Sequence, residues 1–489
     1  MKFSQYQWKL FKSSPEGQES IRRFEENRDF ALDLLLIERY ATDFIENDRQ
    51  RQALSLLIEE LWEHCISKYE DEKEITIEDA KRVYEEIIDA GITFGTETIV
   101  KTEDYAQMVD FIPFLSIELN AWCRDIFFPY MFISRFNELN KIADYFDIEL
   151  PTVPKKSEYK ARCIYYWELC ETLYQFRTEY NLTLPELCAF IYDYAPHLIE
   201  QEEKGELPQP AQAWFIGGLI RNSKEDWTAA HWQANINTKK GDILIHYETS
   251  PVRAITRIWI AQTDGVLDPF AKYFSYAYIS DRIDIPHIAL EELQADPYFC
   301  CHSLVRKKFQ GVNGWPVTSE DYKQLLRILH DKGTNIEQLP KLYAPQMPKD
   351  IHIDSEREVE TKLLEPLLKS MGFQEGDDYI RQLPIHAGRG HRIFPDYALH
   401  YSKKPDEETA RVLIEAKLYM KNNQEIEAAF LQARSYAMIL GSSVIMLCDK
   451  ECLIVYEKRQ SFDRGRYKKF YWSDFENPDR YNEIKNTLR

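Results

Sequence analysis

Asp396, Glu415 and Lys417 are residues of this chain whose types and spacing could do chemistry. Pro395-Asp396-Tyr397 precedes Glu415-Ala416-Lys417 with eighteen residues between the two acids. Side chains two apart on a strand point to the same face. Glu415 and Lys417 close an apolar, β-rich run, Val412-Leu413-Ile414, so both are expected to project from one side of a strand end. Asp396 opens a second strand-like run, Tyr397 to Tyr401. The connection Ser402 to Thr409, with Lys403-Lys404-Pro405-Asp406, has the turn chemistry to fold the two runs into a hairpin. Two carboxylates and an ammonium would then meet at one end of a two-stranded ribbon. Such a site suits a hard divalent cation and an activated water.

Those groups need elements to hold them. From Ser355 the pattern predicts a helix (Ser355 to Ser370, with Gly372 as a stop), two strands leading to Asp396 and Glu415, a helix (Asn423 to Leu440) and two more strands (Val444 to Cys448, Leu453 to Glu457). Pro-Asp alone often just starts a turn, and a strand ending Glu-x-Lys is common on solvated edges. The order Pro-Asp, hairpin, Ile-Glu-Ala-Lys, helix is more specific, because it places all three groups at one strand end.

Residues 355–457 resemble the PD-(D/E)XK nuclease superfamily, especially the nuclease domain of type I restriction R subunits. Pro395-Asp396 and Glu415-x-Lys417 match its core motif, and Gln432-Ala433-Arg434-Ser435-Tyr436 is similar to the Gln-x3-Tyr signature of that branch. The resemblance implies Asp396 and Glu415 as Mg²⁺ (or Mn²⁺) ligands, with the Ala416 carbonyl as a third. Lys417 would orient or deprotonate the attacking water. Gln432 and Tyr436, one helical turn apart, could hold DNA or the catalytic residues, or form a packing pair. Glu356 or Glu360 corresponds to the acid that often completes the metal site. They share a helix face, so spacing does not choose between them. Upstream, Arg389, His391 and Arg392 form a basic run placed for phosphate contacts, though a solvated loop would need no function. R subunits continue into a motor, but no G-x4-G-K-[ST] loop occurs here, so no ATP site is expected.

Residues 211–340 carry aromatic strand-like runs: Trp214 to Gly218, Gly241 to Tyr247 and Ala254 to Ile260, then a helix from Thr318 to Lys332. This segment resembles the EVE/PUA-like fold, which includes readers of modified bases. The resemblance rests on Trp214, Trp232, the Gly241-Asp242 turn, Tyr247 and Trp259. A flipped base needs flat apolar walls and polar groups for its edge. Trp214, Trp232, Tyr247 and Trp259 could supply walls, and Asn235 and Asp242 edge contacts; aromatics of a small barrel are more often core. Lys239 and Lys240 could reach phosphates or simply be solvated.

Residues 1–206 read as all-helical. Phe30 to Ile37 and Ala53 to Leu61 are apolar-periodic, Thr76 stands where a helix N-cap belongs, and Pro185-Glu186 sit just inside a helix start. This stretch holds 23 Lys/Arg against 42 Asp/Glu, which concentrates the net charge of −20 there and leaves the rest near neutral. A scaffold or partner-binding role follows for it, with a homodimer or a defence-complex partner as the other party. The nine cysteines show no CxxC pair and are expected as buried free thiols. The most apolar region, Phe111 to Ser134, is broken by Pro113, Glu118, Arg124, Asp125 and Pro129 and reads as buried helix. With no apolar span of about eighteen residues and no basic-then-apolar leader, a cytoplasmic protein is expected.

The expected architecture is therefore multidomain: all-α over 1–206, a mixed α/β barrel-like middle domain over 211–340, and an α/β nuclease domain over 350–489. The expected activity is metal-dependent hydrolysis of DNA, in a modification-dependent restriction or anti-phage system. The alternatives are a nuclease subunit activated by a partner protein, and a nucleic-acid sensor with an inactive nuclease fold. RNA also stays open as the bound nucleic acid.

Overall fold

The computed structural model describes residues 3–26, 75–98, 106–133, 135–202, 207–219, 231–270, 275–280, 282–348, 351–386, 392–404 and 408–489. The expected helices at Phe30 to Ile37 and Ala53 to Leu61, and the loop residues Arg389 and His391, lie outside them.

Residues 3–202 fold as helices around one aromatic core. Thr76 caps the helix Ile77–Thr98, its Oγ1 accepting from Asp79 N at 3.1 Å. Thr183 and Glu186 close a capping box on Leu184–Ala189. Helix Tyr159–Tyr180 runs through the middle and buries Tyr165, Tyr166, Trp167 and Leu169. The hydroxyls of Tyr165 and Tyr166 find backbone acceptors, Pro151 O at 3.1 Å and Phe128 O at 2.7 Å. Of the apolar stretch 111–134, the first part forms the end of helix Ala106–Trp122, while 127–133 is buried without helix. No described helix is long and apolar enough to cross a membrane.

The core of this helical region reaches past residue 206. It includes Val266, Phe270 and Tyr276, and the buried Arg162 guanidinium donates to Pro269 O at 3.0 Å and Phe270 O at 3.1 Å. A guanidinium in an apolar interior needs such acceptors.

Among the described residues eight strands follow: β1 (Ala213–Gly218), β2 (His231–Gln233), β3 (Ile243–Glu248), β4 (Ala254–Ile260), β5 (Val266–Leu267), β6 (Ser275–Tyr278), β7 (Ile283–Ala289) and β8 (Asn313–Val317). They form a five-stranded sheet, β7-β4-β3-β1-β8, and a three-stranded one, β2-β6-β5. The expected barrel does not close among the described residues. Instead, β5 and β6 leave the main sheet to join the helical core, and Ala261 and Ile279 make the bridge between the two sheets. One face of the large sheet packs on helix Ser319–Asp331, the other on a cluster of tryptophans.

The C-terminal region is a six-stranded sheet, β16-β15-β14-β13-β12-β9, from β9 (Tyr379–Arg381), β12 (Tyr397–Ser402), β13 (Thr409–Ala416), β14 (Val444–Cys448), β15 (Cys452–Glu457) and β16 (Lys468–Tyr471). A short ribbon, β10 (Ile385–His386) with β11 (Arg392–Ile393), stands beside it. Within the six-stranded sheet only β13 and β14 pair in parallel, and helix Asn423–Leu440 makes the crossover that a parallel pair requires. Helix Glu356–Ser370, interrupted by a π turn over Glu360–Leu364, packs with helix Pro478–Leu488 on one face; Asn423–Leu440 covers the other. Central strands β13 and β14 are therefore apolar on both sides.

Candidate active site

The hairpin expected from the sequence forms. Tyr397 pairs with Ile414 and Ala398 with Leu413, so one further step sets Asp396 opposite Glu415. Alternation explains the rest. Leu413 and Ala398 face helix Asn423–Leu440, and Glu415 and Asp396 share their parity, so both acids lie on that face. Asp396 Oδ2 accepts from Ala416 N at 2.8 Å, which fixes its carboxylate against the strand end.

Glu415 is only 1 % exposed. Its Oε2 accepts from Gln432 Nε2 at 3.3 Å and lies 3.6 Å from Lys417 Nζ, while Oε1 is buried with no hydrogen-bond partner. The Gln432 amide also reaches the Tyr436 hydroxyl at 3.4 Å, so the two helix residues join the acids in one chain of contacts. Burial first, and the Asp396 carboxylate second, push the Glu415 carboxyl up to about 8; Lys417 opposes them. A buried acid with an orphaned oxygen beside a second acid is a place where positive charge is missing.

That donor set fits a hard cation: two carboxylates at one strand end, with the carbonyl of Ala416, the last residue of β13, beside them in the chain. Among the described residues no three His, Cys, Asp or Glu side chains form a metal-binding group, so the two acids stand as a pair. Of the two candidates for a third acid, Glu356 is exposed at the helix start. Glu360 turns inward and accepts from the Tyr397 hydroxyl at 3.2 Å, with Arg357 Nη1 2.6 Å away. Tyr397 points to the opposite face of the sheet, so Glu360 approaches the strand end from the far side. Glu365, which the motif does not flag, shares the Tyr397 hydroxyl at 2.9 Å.

Asp449 is a further residue of the site that spacing alone did not reveal. It is 1 % exposed and holds the loop after β13 against the β14–β15 turn. Its Oδ2 accepts from Met420 N at 2.8 Å, and its Oδ1 from Glu451 N at 2.8 Å and Cys452 N at 2.9 Å. Lys417 N donates to Cys448 O at 2.8 Å in the same seam, so Asp449 is a positioning residue for the segment that carries Lys417.

The middle region separates the expected base-pocket residues. Trp214, Leu244 and Trp259 are register partners across β1, β3 and β4 and share one face, with Trp232 against them. Tyr247 has the opposite parity: it stacks on Phe309 at 4.0 Å inside the other core and is not a wall of the same pocket. Asn235 is occupied, its amide donating to Gly314 O at 2.8 Å and its Oδ1 accepting from Asn237 N at 2.9 Å. Asp242 Oδ2 accepts from the Trp214 indole at 2.8 Å and from Lys239 N at 2.8 Å, and burial pushes its carboxyl up to about 6. Gly241 turns the chain there with φ +94°, where a Cβ would come 2.4 Å from Pro208 O. The Lys239 ammonium is paired with Asp264 at 2.8 Å, and Lys240 N donates to the same carboxylate. Arg392 is exposed on β11.

What the aromatic face holds instead is His246. Its ring lies 4.9 Å from that of Trp259 and 5.2 Å from that of Trp232, fully buried, with neither nitrogen hydrogen-bonded. His246 shares the parity of Leu244 on β3, and the register with β1 and β4 sets that face against the tryptophans. Burial, with Arg257 adding to it, lowers the imidazole to about 3, so it is neutral in the fold. The unfolded chain takes up a proton near 6.5, so this contribution to stability is complete above that pH and is lost as pH falls toward 3. His246→Phe is therefore expected to gain about 2 kcal/mol more stability at pH 5 than at pH 7. Urea midpoints at the two pH values measure it, and equal shifts would refute the neutral-histidine assignment.

Six of the eight described cysteines are buried free thiols, whereas Cys300 and Cys301 are exposed on a short turn.

No protein-family model and no curated protein matches the chain. Among solved structures, protein Atu2648 from Agrobacterium tumefaciens is 17% identical over 27% of this chain and 97% of its own, with a TM-score of 0.22. The NMR structure of Rpa0253 from Rhodopseudomonas palustris is 16% identical over 24% of this chain and 93% of its own, with a TM-score of 0.20. A likeness this slight carries no argument about function.

Proposed function

We propose that the chain is a metal-dependent endonuclease that hydrolyses DNA, with the middle region selecting the substrate by a base feature, in restriction or anti-phage defence. The observation that carries the reading is the buried Glu415 carboxylate, with one oxygen unpartnered, set opposite Asp396 and 3.6 Å from the Lys417 ammonium. Asp396, Glu415 and the Ala416 carbonyl would hold Mg²⁺ or Mn²⁺, which supplies Lewis acidity and a water of lowered pKa. The chain's own groups do the remaining work. Lys417 orients the attacking water and stabilises charge on the scissile phosphate. Gln432 keeps the Glu415 carboxylate aimed at the strand end, and the Ala416 amide does the same for Asp396. A base feature would be read at the part-exposed Trp232, the one tryptophan of the otherwise buried Trp214, Trp232 and Trp259 cluster that reaches solvent.

Incubation of the full chain with Mg²⁺ and with methylated and unmethylated duplexes tests both halves. Cleavage that EDTA abolishes and that favours one substrate is the expected result. Absence of metal-dependent cleavage of every DNA and RNA offered, with and without a candidate partner protein, would overturn the reading.

A further inference from the structure

We infer that the exposed basic run 458–469, with Tyr467 and Tyr471, is a contact surface for the phosphate backbone of duplex DNA. The inference rests on the proposal that DNA is the substrate, and it names where the duplex lies outside the metal-binding end. Lys458, Arg459, Arg464, Arg466, Lys468 and Lys469 are all exposed, and they stand against a single acid, Asp463, in a chain of net charge −20. Lysines on an edge strand often serve only to block pairing with another sheet. Here Lys458, Arg459, Arg464 and Arg466 lie in the loop before β16, where no edge needs protection.

The loop has a built shape. Phe462 is buried in the core under helix Asn423–Leu440, and the Tyr467 ring lies 5.7 Å from that of Tyr456. Asp463 turns the chain, its Oδ1 accepting from Gly465 N at 2.8 Å, so the one acid of the run is engaged in the turn. Arg464 is ion-paired with Glu427 of helix Asn423–Leu440. Glu427 precedes Gln432 by five residues, about 7.5 Å of helix rise, so the surface and the site share one helix. Lys468 is held by Glu457 at 2.8 Å and Glu483 at 3.4 Å. That leaves Lys458, Arg459, Arg466 and Lys469 exposed along the β15–β16 hairpin, which also carries Tyr467 and Tyr471, 52 % and 51 % exposed. Lys469 Nζ sits 5.0 Å from the Tyr471 ring centre. Cations alternating with aromatic rings on a fixed loop suit a polyanion that also offers sugar and base edges for contact.

The test is fluorescence anisotropy of the full chain with a labelled DNA duplex in EDTA, titrated over a range of salt. Arg459→Gln, Arg466→Gln and Lys469→Gln combined should weaken binding tenfold or more and lower the log–log salt slope by about 2.7, from about 0.9 for each phosphate no longer neutralised. Lys81→Gln, Lys155→Gln and Lys156→Gln combined remove the same charge from the helical region and should leave both values near wild type. Unchanged binding in the first triple variant, or an equal loss in the second, overturns the inference, as does a wild-type chain that binds no duplex. Binding that depends on the run, in a chain that never cuts DNA, would leave this inference standing and sink the nuclease proposal instead.

Discussion

Lys417→Ala and Asp396→Asn are each expected to reduce Mg²⁺-dependent cleavage by about a thousandfold or more, with urea midpoints close to wild type. The two variants fail for different reasons. Lys417 is 26 % exposed in its side chain, so truncating it leaves no cavity in the core. Its loss removes the ammonium that opposes the rise of the Glu415 carboxyl, and with it the group proposed to orient the water. Asp396→Asn keeps an oxygen to accept from the Ala416 amide but lacks the second negative charge that a divalent cation needs. Isothermal titration with Mn²⁺ separates them: Asp396→Asn should lose metal binding, and Lys417→Ala should keep it. Cleavage by either variant at the wild-type rate would remove these residues from the chemistry.

Asp449→Ala should be the most destabilising single change near the site, at about 3–5 kcal/mol. The carboxylate accepts three backbone N–H groups and is 1 % exposed. Truncation leaves Met420 N and Cys452 N, both in buried surroundings, without their acceptor. It also frees the loop that follows Glu415-Ala416-Lys417 from the β14–β15 turn. Cleavage at low temperature, where the variant is still folded, should fall with kcat rather than KM, because Lys417 is displaced while the proposed DNA surface is intact. Urea denaturation and single-turnover kinetics measure the two effects. A stability loss under about 1 kcal/mol would mean that the loop holds itself.

The contrast between these two predictions shows what was legible in the sequence. Asp396, Glu415 and Lys417 sit at the ends of adjacent strands that follow each other closely in the sequence, so strand parity and the turn chemistry of the sequence suffice to bring them together. Gln432 lies on the helix that follows directly, and its contact with Glu415 needs only that helix to fold back on its own strand. Asp449 depends on β14 adding beside β13 and on the turn beyond it meeting the loop from Lys417 to Asn422. No local pattern carries that. In the middle region, aromatic content marked β1, β3 and β4 but neither the other strands nor the faces of these three. β3 is buried on both sides, so polarity does not show which of its residues look toward the tryptophans. Only the register with β1 and β4 puts His246 there and turns Tyr247 away. The barrel expectation failed for a related reason. The short strands β5 and β6 carry no strand signal of their own in the sequence, and their apolar side chains serve the helical core. The basic run 458–469 was fully visible in the sequence; nothing about its composition depends on the fold.

The contact made by Arg162 bears on how such a chain can be rearranged by recombination. Val266, Phe270 and Tyr276 belong to the core of the helical region, and the carbonyls of Pro269 and Phe270 satisfy the Arg162 guanidinium. Swapping the segment 211–340 for a foreign module would leave a hole in that core and a buried cation without acceptors. The helical and middle segments must therefore be inherited as a unit. The C-terminal region meets the middle one through polar contacts such as Asp479 with Ser319 and Asn482 with Gln212, which a modest set of surface changes could re-create. A crossover between the middle segment and the C-terminal region is the one such a lineage could survive.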